Sequence, residues 1–338
     1  MSKIKTFTTG GIHPDKFKLS SDIAIEDAGI PETVTIPVRQ HIGAPAKILV
    51  KKGDKVKVGT LIADADGIVS ADVHSSVSGE VIKVEESETG GGYLEKMITI
   101  RVEGDEWEES IDRSDKLETV EAHPDLTPEE IVNRIKTAGV VGMGGACFPT
   151  FIKLTPPPTA KAECVIINAV ECERYITADF GLMMEHPDEI LVGLELLMKG
   201  AKVNTGYIGI ETNKMPAIEL LTKKCAEKFG GSAYNVEVVP LKQRYPQGGE
   251  KQLVDAGSQR QGPAPPAIPV NVGAIVQNVG TAYAVYEAVM KNKPLFERYT
   301  TVTGKKLQKP SNFLVRMGTP MQELIDACGG MPEGDNKL

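Results

Sequence analysis

The feature that most constrains the fold is an alternation of apolar runs and helical segments that begins near Leu126. Thr127-Pro128-Glu129-Glu130 supplies an N-cap, a proline at the first helical position and a capping-box glutamate, so a helix is predicted to begin there. Strand-like and helical segments then follow each other along the chain, and this alternation predicts a parallel, doubly wound sheet. The predicted strands are 164–167, 207–210 and 236–240, and the predicted helices are 188–199, 216–228 and 281–291.

Residues 34–102 have a different pattern, in which short β-rich runs are separated by turn residues, and this pattern predicts an all-β unit. Within it, residues 50–60 and 69–84 resemble the two halves of a lipoyl or biotinyl carrier, which is a barrel-sandwich hybrid. The hairpin tip of such a carrier holds a modifiable lysine, but residues 63–67 contain none. We therefore interpret the unit as structural, and we expect the acidic stretch 103–120 to be a solvated connector.

The last part of the chain, from Tyr299, contains two strand-like runs and then a helix that is predicted to open at a second capping box, Thr319-Pro320-Met321-Gln322. A ββα start resembles a β-grasp unit, which needs further strands to cover its helix. Because the sequence stops soon after Gly330, we expect it to end inside a domain. The prediction is an α/β multidomain protein with an all-β domain and connector at 1–120, a Rossmann-like domain at 121–296 and a partial β-grasp domain at 297–338.

Composition and charge argue against several classes of function. The chain has 38 Lys and Arg against 46 Asp and Glu, a net charge of −8, which disfavours a nucleic-acid-binding role. No apolar stretch approaches the roughly 18 residues of a membrane span, and the start lacks the apolar region of a signal peptide, so a cytoplasmic location is expected. The five cysteines form no Cys-x-x-Cys pair, and the histidines show no metal-ligand spacing, so no metal site is predicted.

Residues 142–150, Gly-Met-Gly-Gly-Ala-Cys-Phe-Pro-Thr, form the densest chemical signal. Their glycines allow backbone N–H groups to approach an anion, while Phe148 can cover a flat group. The segment matches neither the dinucleotide pattern G-x-G-x-x-G nor a Walker loop. The alternative is a packing turn made glycine-rich by crowding. Lys153, which follows closely, could meet a phosphate as a point charge or could simply be solvated.

Polar residues directly follow the predicted strand 164–167, and ligands of open α/β sheets bind outside the carboxyl ends of strands. Asn168 could hold the edge of a heteroaromatic ring, and Glu171 and Glu173 could bind ribose or ribityl hydroxyls. The alternative is a polar loop with solvated acids.

Two further segments open predicted helices. Residues 245–251, Tyr-Pro-Gln-Gly-Gly-Glu-Lys, place two glycines at a helix start and so offer an N-terminus that can receive an anion. Residues 276–281, Val-Gln-Asn-Val-Gly-Thr, place side-chain amides at another helix start. The sequence therefore indicates up to four segments that could form one site.

Seven motifs together resemble a known family: residues 10–14, 40–45, 69–79, 142–150, 171–173, 245–253 and 277–282. Their order and spacing are similar to those of the NADH-binding flavoprotein subunit of respiratory complex I and, more closely and over the whole chain, of the RnfC family of the Rnf electron-transport complex. The resemblance implies an N-terminal barrel-sandwich hybrid, a Rossmann-like flavin domain and a β-grasp domain of the soluble-ligand-binding type.

The resemblance also implies a function: an NADH:acceptor oxidoreductase subunit in which FMN takes a hydride from NADH, or the reverse, so that no catalytic residue is needed beyond the flavin. The residues that would then hold FMN are Gly142, Gly144, Gly145, Lys153, Asn168, Glu171, Tyr245, Gly248, Gly249 and Asn278. The residues that would receive NADH are Phe148, Glu173 and Glu250.

Members of the RnfC family usually continue into a ferredoxin-like segment with two C-x-x-C-x-x-C-x-x-x-C-P motifs, which do not occur in this sequence. We therefore expect [4Fe-4S] clusters only in a missing C-terminal segment or in partners, and the early end is interpreted as a trimmed chain or a selenocysteine codon read as a stop. Expected partners are Rnf membrane subunits, with peripheral membrane association, or a soluble proline reductase. A non-catalytic docking protein is the alternative. Residues 259–269, which border the expected nucleotide pocket, differ from the Rnf pattern.

Overall fold

The computed structural model describes residues 3–88, 92–258 and 268–334. Most of the segment 259–269, which was expected to border the nucleotide pocket, therefore lies outside the described residues. Within the described part, fourteen strands and eight α-helices form three units. The strands are β1 Glu26–Asp27, β2 Thr33–Pro37, β3 Lys47–Ile48, β4 Lys55–Val56, β5 Leu61–Asp64, β6 Val73–His74, β7 Gly79–Glu88, β8 Leu94–Val102, β9 Cys164–Asn168, β10 Thr205–Glu211, β11 Asn235–Leu241, β12 Ala274–Asn278, β13 Glu297–Val302 and β14 Ser311–Arg316.

The helices connect and cover these strands. They are α1 Pro128–Thr137, α2 Thr150–Leu154, α3 Ala178–Glu185, α4 Pro187–Gly200, α5 Met215–Phe229, α6 Glu250–Ser258, α7 Val279–Met290 and α8 Met321–Ala327. Helix α1 begins as predicted, because the Thr127 hydroxyl accepts a hydrogen bond from the backbone N–H of Glu130 at 3.1 Å. The predicted helices and strands of the α/β region are present, while α2, α3 and β12 were not predicted.

The N-terminal unit consists of two small antiparallel sheets, β2-β8-β7-β4 and β3-β5-β6. Alternate residues of β2 face the space between the sheets, so Val34 and Ile36 are fully buried beside Ile98 and Ile100 of β8. The predicted all-β unit is confirmed.

His74 on β6 gives this unit a pH dependence that can be tested. Its side chain is buried, and burial lowers the pKa of the imidazole from 6.5 to about 4. The unfolded chain therefore binds this proton more strongly, and the folded state should lose about 3 kcal/mol of stability from this group as pH falls from about 6.5 to about 4. Below about pH 4 the loss should be complete and constant.

The measurement is denaturant unfolding at pH 7 and pH 4 of the native chain and of His74→Gln, since the difference between the two removes the contribution of other groups. A smaller loss of stability in the variant is expected. Equal losses in both proteins would contradict the assignment, and His13→Gln, at an exposed position, is the control that should leave the pH dependence unchanged.

The central unit is a four-stranded parallel sheet in the order β11-β10-β9-β12. The alternation of segments predicted the parallel sheet, but not the order of its strands or the presence of β12. Val165 and Ile167 of β9 face a large core formed with helices on one side. Cys164 and Ile166 face the opposite side, where they contact the α6 residues Leu253 and Val254. Both faces of β9 are buried, which explains its uninterrupted apolar sequence.

The third unit contains β13, β14 and α8, and its sheet gains a strand from the start of the chain. Strand β1 pairs in parallel with β14, giving the order β1-β14-β13. The sequence predicted that further strands were needed but not that residues 26–27 supply one. The predicted capping box at Thr319 does not form: its hydroxyl donates to the Arg316 carbonyl at 2.7 Å, and Pro320 precedes the helix.

The segment before β1 runs along the central unit rather than the N-terminal β unit. Lys5 forms a parallel bridge with Leu241 at the end of β11, and Ile12 forms an antiparallel bridge with Tyr245. Farther along, Lys18 reaches the loop that follows β9. The first residues of the chain therefore contact the same edge of the sheet that carries the predicted site.

Candidate functional site

A cleft of about 1160 Å³ lies at the carboxyl ends of β9 and β12. Its walls come from the glycine-rich loop after α1, the loop after β9, the start of α6, the start of α7 and strand β13. Twelve of the thirteen residues predicted to bind FMN or NADH line this cleft; they are Gly142, Gly144, Gly145, Phe148, Lys153, Asn168, Glu171, Glu173, Gly248, Gly249, Glu250 and Asn278.

Tyr245 is the exception, because it does not line the cleft. Its backbone exchanges hydrogen bonds with Ile12 at 2.8 and 2.9 Å. Its side chain lies near Glu173, whose negative charge raises the pKa of the phenol. The neighbouring Pro246 does line the cleft, so Tyr245 lies behind the wall in this structure.

The glycine-rich loop presents backbone to the cleft. A bridge between Val141 and Pro149 closes its base, and the N–H of Gly142 donates to the Phe148 carbonyl at 2.9 Å. Gly145 has a φ of +112°, and a Cβ added there would meet nothing within 4 Å. A Cβ on Gly144 would meet only Asn278, at 3.6 Å. The loop thus leaves open space beside its backbone, as an approaching ligand requires.

Two contacts anchor this loop to other elements. The backbone N–H of Met143 donates to the Thr281 hydroxyl at the start of α7, at 2.9 Å. The guanidinium of Arg298, on β13, donates to the Met143 carbonyl at 2.8 Å. The β-grasp unit therefore contributes to the wall of the cleft, which the sequence did not predict.

Lys153 is the cation of α2 that faces the cleft. Its ammonium group lies 2.9 Å from the Glu250 carboxylate and donates to the Val276 carbonyl at 2.9 Å. This contact joins α2, α6 and β12 at the cleft, with the Glu250 side chain 41% exposed. A residue predicted to meet a phosphate and one predicted to meet NADH are thus direct neighbours.

The two predicted asparagines are held by backbone groups. The Asn168 amide donates to the Gly248 carbonyl at 2.8 Å and accepts from the N–H of Val170 at 3.3 Å. Asn278 is the N-cap of α7, because its side-chain oxygen accepts from Gly280 at 2.8 Å. These bonds fix both side chains at the strand ends.

Glu171 has the most unusual environment in the cleft. Its φ is +47°, a left-handed conformation, and its side chain is 2% exposed. One carboxylate oxygen accepts from the backbone N–H of Asp179 at 2.8 Å, while the other lies 3.9 Å from the Lys18 ammonium and 3.8 Å from that of Lys214. Burial raises the pKa of Glu171, and the charge of Asp179 adds to this, against the two lysines.

Asp179 was missed because helix α3 was not predicted. It is partly buried in the first turn of α3, lines the cleft and accepts a hydrogen bond from the Asn278 amide at 2.8 Å. Burial raises the pKa of this carboxyl. The hydroxyl of Thr301, on β13, accepts from the N–H groups of Thr177 and Ala178 at the same helix start, each at 3.0 Å.

Lys18 was also missed, since nothing in the residues around it signals that it reaches a loop more than 150 positions away. The α3 signal was weak for a different reason: the segment 178–185 lacks a side-chain cap of its own, because its cap comes from Thr301. Both contacts depend on how the units pack.

Three family models match successive parts of the chain. Residues 5–106 match the RnfC barrel sandwich hybrid domain, residues 135–287 match the Nuo51 FMN-binding domain, and residues 299–337 match the SLBB domain. These segments correspond in order to the N-terminal β unit, the central α/β unit with the cleft, and the β-grasp unit.

A crystal structure of an NAD+-reducing [NiFe]-hydrogenase in the H2-reduced state has a similar fold. Its TM-score is 0.54 with 22% sequence identity, over 64% of this chain and 41% of that chain. The air-oxidised state gives a TM-score of 0.51 with 21% identity, over 61% of this chain and 39% of that chain.

Curated relatives match almost the whole chain, and all three described here are the C subunits of their complexes. That of the proton-translocating ferredoxin:NAD(+) oxidoreductase complex of Clostridium ljungdahlii is 43% identical over 99% of this chain and 71% of its own length. The C subunit of the Na(+)-translocating ferredoxin:NAD(+) oxidoreductase complex of Acetobacterium woodii is 41% identical over 97% of this chain and 72% of its own length. The C subunit of the ion-translocating oxidoreductase complex of Rhodobacter capsulatus is 39% identical over 97% of this chain and 62% of its own length. The chain belongs to the RnfC family, the C subunits of the ion-translocating ferredoxin:NAD(+) oxidoreductase complexes.

Proposed function

We propose that this chain is the NADH-binding flavoprotein subunit of an Rnf-type complex and exchanges a hydride between NADH and FMN. The observation that carries the proposal is the cleft of about 1160 Å³, which brings together twelve residues from four separate segments at the carboxyl ends of a parallel sheet. Its volume is slightly above the usual range of about 300–1,000 Å³ for a single-ligand site, as expected for a flavin with a nicotinamide nucleotide beside it.

The residues present fit FMN. Gly144 and Gly145 leave open space beside the loop backbone, where a side chain would exclude a ligand. Helices α6 and α7 begin at the cleft, and their N-termini favour an anionic group such as a phosphate. Glu171 lines this part of the wall with its carboxylate buried against the ammonium groups of Lys18 and Lys214.

In this proposal Gly142, Gly144, Gly145 and Lys153 hold the phosphate side of FMN. Asn168, Glu171, Gly248, Gly249 and Asn278 line the part that would hold the ribityl chain and ring, and Tyr245 supports that wall from behind. Phe148, Glu173 and Glu250 form the outer part, where NADH would bind. FMN when bound supplies the hydride chemistry, and the protein orients it and excludes water.

Electrons would leave through iron-sulfur clusters that lie outside the described residues. The relatives belong to ion-translocating complexes, so we propose that this chain associates with the membrane peripherally through such partners. None of the helices in the described residues is long and apolar enough to cross a bilayer.

Anaerobic reconstitution tests the proposal. The purified chain is incubated with FMN, excess flavin is removed, and the flavin absorbance is followed while NADH is added. Retained flavin that bleaches is the expected result. Retained flavin that does not bleach would limit the function to flavin binding, and failure to retain flavin would favour a non-catalytic docking protein.

Glu173→Gln is expected to weaken the binding of NADH while leaving the binding of FMN nearly unchanged. Glu173 is exposed at the outer part of the cleft, so loss of its charge removes an acceptor for ribose hydroxyls while the flavin part keeps its residues. The KM for NADH should rise about tenfold, the order expected for one lost hydrogen bond to a charged group, with the dissociation constant of FMN nearly unchanged.

Steady-state NADH oxidation with ferricyanide and a fluorescence titration of FMN measure the two quantities. Glu219→Gln, on the exposed side of α5, is the matched control and should change neither. An equal loss of NADH and FMN binding in Glu173→Gln would instead place Glu173 in the flavin part of the cleft.

A further inference from the structure

The ammonium group of Lys18 is almost completely occupied by one loop. It donates to the backbone carbonyls of Glu171 at 2.9 Å, Glu173 at 2.9 Å and Ile176 at 2.6 Å. A lysine ammonium has three N–H donors, and all three have partners in the loop 171–176. The side chain is 15% exposed, so these bonds are formed largely away from water.

The same short segment contacts this loop in two more places. The Phe17 ring stacks on the Tyr175 ring with centroids 5.2 Å apart. The Lys16 carbonyl accepts a hydrogen bond from the N–H of Tyr175 at 3.3 Å. Residues 16–18 therefore hold the loop through backbone, ring and charge contacts.

The loop needs such support because its own conformation is unfavourable. Glu171 and Tyr175 both have a left-handed backbone, with φ of +47° and +68°, which costs a non-glycine residue free energy. Three carbonyls of the loop converge on the Lys18 ammonium, and without a cation there they would lose that partner. The loop conformation is thus supported from outside, by Lys18 and by Lys214.

This conformation decides where two predicted site residues lie. Glu171 turns its carboxylate into the cleft beside Asp179 and Lys214, and Glu173 lies at the outer part of the cleft. Lys214 stabilises the loop from the other side, since its ammonium donates to the Val170 carbonyl at 2.8 Å. Lys18 is a second cation beside Glu171, and it comes from the N-terminal segment.

We propose that Lys18 is a positioning residue of the cleft, and that the N-terminal segment 16–18 fixes the loop 171–176 so that Glu171 and Glu173 face the flavin and the nucleotide. This inference rests on the proposed function for the identity of the ligands. If the proposal holds, residues 16–18, which lie far from the α/β unit in sequence, contribute to ligand binding in the cleft.

The test compares Lys18→Met with Lys16→Met in the full chain. Methionine keeps the length and apolar stem of lysine but removes the three donors and the charge. Lys16 contacts the loop through its backbone carbonyl, which methionine keeps, and its side chain is exposed, so it is the matched control. In the flavin-loaded chain, Lys18→Met should raise the KM for NADH about tenfold or more, since hydrogen bonds to a charged group are lost, with a smaller change in kcat.

A second readout does not need the flavin. Amide hydrogen exchange, followed by mass spectrometry in the flavin-free chain, should become at least several-fold faster across residues 171–176 in Lys18→Met and stay unchanged in Lys16→Met. Lys18→Arg keeps the charge but has a planar group, and it should restore part of the KM and of the exchange protection.

Two results would contradict the proposal. Unchanged KM and unchanged exchange in Lys18→Met would overturn it, as would equal effects in Lys16→Met. If Lys18→Met does not fold, Lys18→Gln is compared with Lys16→Gln, and native KM together with native exchange in Lys18→Gln would overturn the proposal. If the native chain retains no FMN, the proposed function fails, while the exchange comparison still decides whether Lys18 fixes the loop.

Discussion

Gly144→Val is expected to abolish retention of FMN without unfolding the protein. Gly144 lies in the glycine-rich loop at the cleft, and a Cβ there would contact only Asn278, at the ordinary distance of 3.6 Å. The folded chain therefore tolerates the first carbon, but the branched valine would fill the space beside the backbone where the flavin is proposed to lie. The dissociation constant of FMN should rise about 100-fold or more, which corresponds to about 2.7 kcal/mol.

Flavin content after gel filtration and a fluorescence titration measure this effect, and thermal unfolding checks the fold. Gly304→Val is the matched control, because a Cβ at Gly304 also meets only ordinary contacts, the nearest being 3.7 Å away at Leu307, and Gly304 does not line the cleft. The control should retain FMN as the native chain does. Native FMN affinity in Gly144→Val would refute the assignment of this loop to the flavin.

Gly193→Ala is expected to cause the largest loss of stability among single-methyl additions in the central unit. Gly193 is in the middle of α4, and a Cβ there would lie 1.9 Å from the carbonyl oxygen of Ala282 in α7. The two helix backbones touch at this point, so the added carbon meets main chain that cannot rotate away. Since overpacking of a core costs about 1–3 kcal/mol and sometimes more, we expect about 3 kcal/mol and a melting temperature roughly 10 °C lower.

Gly200→Ala, in the same helix, is the matched control. A Cβ there would contact Ile131 at 3.4 Å, within ordinary van der Waals range, and alanine has a higher helix propensity than glycine. This variant should be neutral or slightly stabilising in the same thermal and denaturant unfolding experiments. If Gly193→Ala were equally well tolerated, the close crossing of α4 and α7 would be wrong.

The sequence was sufficient for most of the secondary structure of the central unit, though not for α2, α3 or β12, because the signals of the predicted elements are local. Thr127 caps α1 through its own side chain, and the apolar run of β9 follows from burial on both faces of the sheet. The membership of the family was also predicted from motifs, and relatives up to 43% identical support it. These features depend on residues that are neighbours in the chain.

The β-grasp unit shows the limit of local signals. Strands β13 and β14 were predicted from their own residues, but the strand beside them comes from residues 26–27, nearly 300 positions earlier. The Thr319 capping box was wrong, since the threonine hydroxyl bonds to the preceding turn instead of the helix. A local sequence motif shows which hydrogen bonds a side chain can form, but the packing of the folded chain determines which of them it does form.

Taken by itself, the sequence determined the order of units, the candidate residues and the chemistry that their side chains allow. Only the tertiary structure decided that four distant segments share one cleft, that Asp179, Arg298 and Lys18 join them, and that Tyr245 lies behind the wall. The physical reason is the distance along the chain over which each effect acts. Backbone preferences and the periodicity of apolar residues depend only on residues that are close in sequence. Hydrogen bonds and ion pairs between units form only once the chain has folded and brought the partners together.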